Sequence, residues 1–187
     1  MPRVDHDARQ VAVGEAAWRV LLREGPRGLS VRSVAAESGL ATGSMRRSFP
    51  TQASLVAFCL DLVRRRVTGR IQALPTEGEP ADIALRMLSE LLPLDADRRM
   101  EMEVFLALGS LDPGDRELEA ALTTAHADLA DLCRRLVDAL APDAAERDGR
   151  TLHALLDGLA LHLVRQPADA SGEWAVDVLH GHLDSLG

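Results

Sequence analysis

Residues 30–55, SVRSVAAESGLATGSMRRSFPTQASL, constrain this chain more than any other stretch. They specify two short helices, the turn that joins them and the start of a third. Ser30 is suited to an N-cap, since its hydroxyl can accept a hydrogen bond from a backbone N–H that the first helical turn leaves unpaired. Val31, Val34 and Ala35 follow at the i, i+3, i+4 spacing of one helix face. Ala35 is small where two helices must approach closely. Gly39 comes four residues later, where a chain leaving a helix often takes the left-handed conformation that glycine adopts without steric cost. Thr42 is expected to cap a second helix that turns Met45 inward and leaves Ser44, Arg46 and Arg47 outward. Phe49 closes the apolar cluster, Pro50 stops the helix, and Thr51 caps the next.

This is the pattern of a helix-turn-helix, a unit whose second helix lies in the major groove of DNA. The alternative is an ordinary helical hairpin in an all-α protein. The matching residues go beyond the turn itself: residues 25–28 (GPRG), Ser30-Val31-Arg32 with Val34-Ala35, Gly39-Leu40, Gly43, and Phe49-Pro50 with Leu55. With these, the first third of the chain closely resembles the TetR-type transcriptional regulators. Further on, LLDGLALHLV at residues 155–164 weakly resembles the choline-regulator (BetI-like) subgroup. The resemblance implies an all-α fold of two parts. Residues 1–50 would form a three-helix DNA-binding domain, and residues 51–187 a helical bundle that binds an effector and dimerises. The chain departs from the family at Arg46 and Ser48, where aromatic residues are usual, and at Gln52, where a lysine is usual. Arg46 can replace one of the phosphate contacts those residues make.

Charge supports the same division. The net charge is −8, which spread evenly would repel nucleic acid, but residues 1–70 hold 12 arginines against 6 acidic residues, and residues 71–187 hold 9 against 23. A basic module on an acidic body is the asymmetry expected when one end meets phosphate, while the acidic remainder keeps DNA off the other faces. All basic charge is arginine, since the chain has no lysine. Hydrophobic content of 47% with 27% charged residues is that of a soluble globular chain. No apolar run reaches the roughly 18 residues of a membrane span. The opening MPRVDHDARQ is polar and unlike a secretory signal, so a cytoplasmic location without membrane partners is expected. Cys59 and Cys133 belong to no C-x-x-C pair and read as buried free thiols, a redox switch being the alternative.

Helical periodicity extends along the chain, with no alternating strand pattern and no repeat. Helices are expected at about residues 7–24, with Val13, Ala16, Ala17, Val20 and Leu21 inward and Trp18 in or beside that core, and at 51–74, 81–92, 96–109, 112–141, 145–165 and 172–186. With the two short helices, about nine result. Asp112-Pro113 reads as a cap and first-turn proline, and residues 75–80, PTEGEP, as a polar linker. The 51–74 helix is placed to act as a lever between the two parts, and Arg64, Arg65, Arg66 and Arg70 at its far end suit a solvated face or contacts to the acidic body.

Apolar positions Phe58, Leu62, Met87, Leu91, Met102, Phe105, Leu106, Leu129 and Cys133 either form plain core or, as the resemblance implies, line an effector pocket, with Glu103 and His126 as polar groups that would orient a ligand. Leu152, Leu155, Leu156, Leu159, Leu163, Trp174 and Val178 make the last two helices broadly apolar. They either pack on their own core or, as in the family, form a two-fold interface, with Ala154 and Gly158 permitting close approach. The six histidines are scattered, and no metalloprotease, phosphate-loop, serine-hydrolase or dinucleotide motif is present, so no metal, cofactor or enzymatic activity is expected.

For DNA contact, Arg46 and Arg47 are the candidates for guanine or phosphate, since the arginine fork matches guanine's paired acceptors. Thr42 and Ser44 are short donors. Ser30, Arg32 and the start of the helix after Thr51 would hold the backbone, and Gly43 and Gln52 join this set through the resemblance. The expected function is a repressor that binds a palindromic operator as a homodimer and is released by a small molecule. The rivals are a helical ligand-binding protein that has lost DNA recognition and a small helical enzyme.

Overall fold

The computed structural model describes residues 3–109, 116–143 and 146–186, with side chains from residue 9 onward except those of residues 117 and 118. The elements run α1 (Arg3–Glu24), a 3-10 turn (Pro26–Gly28), α2 (Val31–Ser38), α3 (Thr42–Ser48), α4 (Gln52–Gln72), α5 (Pro80–Ser89), α6 (Ala96–Gly109), α7 (Arg116–Leu140), α8 (Glu146–Arg165) and α9 (Glu173–Asp184). Among the described residues there are nine α-helices and no strand, which is the all-α architecture expected. The helix expected at 81–92 stops early at Ser89, because Leu91 and Leu92 donate to the carbonyls of Leu88 and Ser89 in tighter i→i+3 bonds. The proposed Asp112-Pro113 cap lies outside the described residues.

Two compact units form. The first comprises Met1–Arg65 and Glu103–Thr123, the second Arg66–Met102 and Thr124–Gly187. In the first unit α2 packs on α1 and α3 on α2. The amphipathic stripe of α1 explains the unit's core: Val13, Ala16, Ala17, Val20 and Leu21 are all buried, and Trp18 is fully so. Leu55, Val56, Cys59 and Leu62 contribute one face of α4. Gly14 lets that helix approach, since a Cβ there would stand 2.1 Å from the Leu62 Cδ2.

The second unit buries Leu88 and Leu92, Cys133 and Val137 of α7, Leu152, Leu156, Leu159 and Leu163 of α8, and Ala175, Leu179 and Leu183 of α9. Both cysteines are buried and free, as expected. Burial pushes the Cys59 thiol up to about 12, and burial followed by the charge of Asp157 pushes Cys133 up to about 11. Both therefore stay protonated at neutral pH.

Arginines hold this unit together at three points. Arg99 donates to the carbonyls of Leu163, Val164 and Gln166, covering the C-terminal end of α8, where carbonyls are left without helical partners. Arg86 donates to Pro75 and Glu77 carbonyls, which orders the polar 75–80 linker. Arg70, near the end of α4, forks onto Glu101, whose residue is only 3% exposed, and also meets Glu90 at 2.9 Å. Burial works against the Arg70 charge, but the bonds to Glu101 and Glu90 more than offset it and raise its pKa. The end of α4 thus makes contacts to carboxylates, as its arginine cluster suggested.

Replacing Arg70 by methionine strands a buried carboxylate. Breaking such a pair costs about 3–5 kcal/mol, and the lower end is expected because Arg70 keeps some solvent access and Arg66 stays near Glu101. Urea unfolding of Arg70→Met against the parent chain measures this, and Arg70→Met with Glu101→Leu should recover most of the loss.

Candidate nucleic-acid interface

The geometry of the helix-turn-helix begins with Ser30. Its hydroxyl accepts from the Ser33 N–H at 3.1 Å while Ser33 Oγ accepts from the Ser30 N–H at 2.9 Å, a reciprocal cap that starts α2. Gly39 ends α2 at φ +70°, in the left-handed region. The following helix starts one residue earlier than expected. Ala41 is its N-cap, with no side-chain cap, and Thr42 is the first helical residue. The chain has already turned at Gly39, so position 41 accepts the first helical bonds, from Ser44 and Met45 N–H, and the Thr42 hydroxyl is free of that duty. Met45 is buried, as its spacing implied, and Thr42, Gly43, Arg46, Arg47 and Ser48 are exposed. Thr51 and Ser54 repeat the reciprocal cap at the start of α4, with bonds of 3.2 and 2.9 Å.

Besides the capping residues Ser30 and Thr51, two more of the predicted contact residues have internal partners. Gln52 donates through Nε2 to the Leu29 carbonyl at 2.7 Å, so it braces α4 against the loop before α2. Ser44 Oγ accepts from the Arg9 guanidinium at 2.7 Å. Arg9 is a residue the sequence reading missed. It lies 35 positions from Ser44, and no local signal joins the two.

The electrostatics of this face are selective. Arg19 and Arg23 grip Glu37 at 2.9 and 3.0 Å, tying α1 to α2. The bonds from Arg19 and then Arg23 hold the Glu37 carboxyl below the usual carboxylate range. Arg64 pairs with Asp61 at 3.0 Å. By contrast, Arg9, Arg27, Arg32, Arg46 and Arg47 are exposed, and no carboxylate pairs with any of them among the described residues.

The nine apolar residues read as pocket candidates divide between the units. Phe58, Leu62, Phe105 and Leu106 belong to the first. There Phe58 meets the Phe49 ring at 5.0 Å, Leu62 packs at Gly14, and Leu106 is exposed. Met87, Leu91, Met102, Leu129 and Cys133 belong to the second, where Leu91, Met102 and Leu129 pack on the core that contains Cys133. None of the nine lines the open surface pocket of about 580 Å³ that Leu140, Pro142, Asp143, Asp148, His182 and Leu186 border. His126 is exposed and stacks on His153 at 4.7 Å, and His153 is itself buried on the inner side of α8. Glu103 is half-buried.

On α8, Leu152, Leu156, Leu159 and Leu163 point into the unit's own core, one of the two arrangements their spacing left open. Leu155 is half-buried. The outward apolar residues are Leu161, Trp174 and Val178, 36–45% exposed. Gly158 and Gly181 lie beside them in sequence register, each with open space where a Cβ would stand. No helix among the described residues is long and apolar enough to cross a membrane.

Comparison with known proteins places this geometry. The model of the BetI-type transcriptional repressor C-terminal domain, a TetR-group domain, matches residues 80–187. The HTH-type transcriptional regulator PksA of Bacillus subtilis is 32% identical, over all of this chain and 94% of its own. A transcriptional regulator from Rhodococcus sp. Rha1 superposes with a TM-score of 0.82 at 25% identity, covering 95% of each chain. The multidrug binding protein EbrR, solved with proflavin, superposes at 0.60 with 27% identity, covering 93% of this chain and 99% of its own. The chain belongs to the TetR family of transcriptional regulators, and its C-terminal domain is of the BetI type.

The turn that presents α3 rests on one backbone conformation. A Cβ at Gly39 would meet nothing within 4 Å, so any penalty there is conformational rather than steric. Gly39→Ala should destabilise the chain by about 1–2 kcal/mol, and Gly39→Asn by less, because asparagine tolerates the left-handed region. Thermal or urea unfolding of the three proteins checks the order.

Proposed function

We propose that this regulator is a ligand-responsive repressor. It binds a palindromic operator as a homodimer and leaves it when a small molecule occupies the C-terminal bundle. The observation that carries this is the set of arginines on and around α3 with which no carboxylate pairs among the described residues. Exposed guanidiniums with no internal anion are available to phosphates and guanines, whereas the arginines at the far end of α4 are neutralised within the chain. Arg46 and Arg47 take the base or phosphate contacts, with Thr42, Gly43 and Ser44 beside them. Ser30, Arg32, Thr51 and the brace at Gln52 hold the backbone register. In this reading residues 1–50 recognise DNA and residues 51–187 bind effector and partner subunit.

A helix-turn-helix head reads two half-sites through a dimer. The outward apolar strip of Leu161, Trp174 and Val178, with Gly158 and Gly181, is the surface suited to a second copy. EbrR binds proflavin, which supports a small organic molecule as the class of effector here. Coupling between effector and operator of about 1–3 kcal/mol, or 5–150-fold in affinity, is typical of such switches. Because α4 belongs to both units, it is the element that would carry the signal.

Two measurements test the reading. With the DNA upstream of its own reading frame as probe, Arg47→Ala should weaken binding by about 1–3 kcal/mol and relax preference at one position if it reads a base, whereas a phosphate contact gives a uniform loss. Arg64→Ala, an arginine with an internal partner, should leave affinity unchanged. In sedimentation the parent chain should be a dimer at micromolar concentration and Val178→Arg a monomer. Unchanged binding in both Arg46→Ala and Arg47→Ala would refute the DNA-reading role of α3, and a monomeric parent would refute the dimer.

A further inference from the structure

We infer that Arg9 is a DNA-contacting residue which also fixes what Ser44 can read. The inference rests on the DNA-binding function proposed above. Arg9 lies on α1, outside the helix-turn-helix, yet its Nη2 donates to Ser44 Oγ at 2.7 Å on α3. The guanidinium is exposed, and no carboxylate pairs with it among the described residues. An arginine carries five N–H donors and one serves Ser44, so the others remain for an external acceptor.

Two consequences follow from hydrogen-bond chemistry. First, the charge of Arg9 is brought beside the face that holds Arg46 and Arg47, which adds a cation where phosphates must come. A planar fork suits a phosphate better than a point charge would. Second, Ser44 Oγ receives its proton donor from inside the protein. One of its two lone pairs is thereby engaged by a charged donor, while its own hydrogen is left to give away. In the groove, Ser44 is then biased toward donating, with one lone pair left. It selects purine N7, guanine O6, thymine O4 or a phosphate oxygen, and is disfavoured opposite the amino groups of adenine and cytosine. Without Arg9, the same hydroxyl has both lone pairs free as well as its hydrogen and discriminates less.

Both roles have separate signatures. Each phosphate a protein neutralises contributes about 0.9 to the slope of log affinity against log salt on duplex DNA. Binding of the full chain to the DNA upstream of its own reading frame is measured over a salt series for the parent, Arg9→Gln, Ser44→Ala and Arg47→Gln. The expected result is that Arg9→Gln lowers the slope by about 0.9 for each bound subunit, about 1.8 for the dimer, while Ser44→Ala leaves it unchanged. In a library of operator variants, Arg9→Gln and Ser44→Ala should relax preference at the same base pair. If Arg47→Gln weakens binding but Arg9→Gln keeps the parent slope and the parent preference, the role of Arg9 is overturned and the function proposed above stands. If Arg9→Gln matches Ser44→Ala in every respect, slope included, the phosphate contact is overturned. If the parent chain binds no DNA, the proposed function falls and this inference with it.

Discussion

The seven residues of α3 form a helix only because tertiary packing holds them. Isolated helices much shorter than about 12–15 residues are marginal in water, and this one has no side-chain cap at its start. What it has is one buried anchor, Met45, a glycine turn before it and Phe49 after it. Much of the first unit serves that small element. Trp18 and Leu21 of α1, Leu29 before α2, Val34 and Ala35 of α2 and Leu55 of α4 are buried in the same unit as Met45. Gln52 ties the start of α4 back to Leu29. The result is a helix whose inner side is a single methionine and whose outer side is left almost wholly to solvent.

Charge is arranged with the same economy. Most arginines in the chain have a nearby acceptor: Glu37 for Arg19 and Arg23, Asp131 for Arg134 and Arg135, Glu146 for Arg150, Glu101 for Arg70, and backbone carbonyls for Arg86 and Arg99. Exposed pairs of this kind contribute little to stability. Their effect here is to remove cationic surface wherever the chain does not require it. Among the described residues, the guanidiniums of Arg32, Arg46 and Arg47, and that of Arg9 with the neutral Ser44 hydroxyl as its acceptor, stand out against that background. A protein of net charge −8 can therefore still offer phosphate a positive face.

Local grammar made the recognition unit readable from the amino acids. A serine cap, an apolar triplet, Gly39 and Pro50 each act within a few residues, and their offsets carried over to the structure with one shift, from Thr42 to Ala41 at the cap of α3. Properties that depend on distant partners were not readable. Glu101 sits in the charged run ADRRMEME and looks like a surface carboxylate, yet it is buried because Arg70 reaches it from α4. The leucines of α8 occupy both its sides, so periodicity alone could not say that Leu152, Leu156, Leu159 and Leu163 face inward while Leu161 faces out. His153 falls between Leu152 and Ala154 with nothing nearby to announce its stacking on His126. Arg9 is the plainest case, since only the folded packing of α1 with the helices that follow brings it to Ser44.

The claim on which the functional picture turns is that paired copies present their bare arginine faces to one side of a duplex. Hydroxyl-radical footprinting of the full chain on the DNA upstream of its own reading frame examines it directly. Two protected patches related by a two-fold axis are predicted, centred about one helical turn, roughly 34–36 Å, apart or a multiple of that spacing. Protection of a single asymmetric patch, or none at protein concentrations where the dimer is populated, would contradict it.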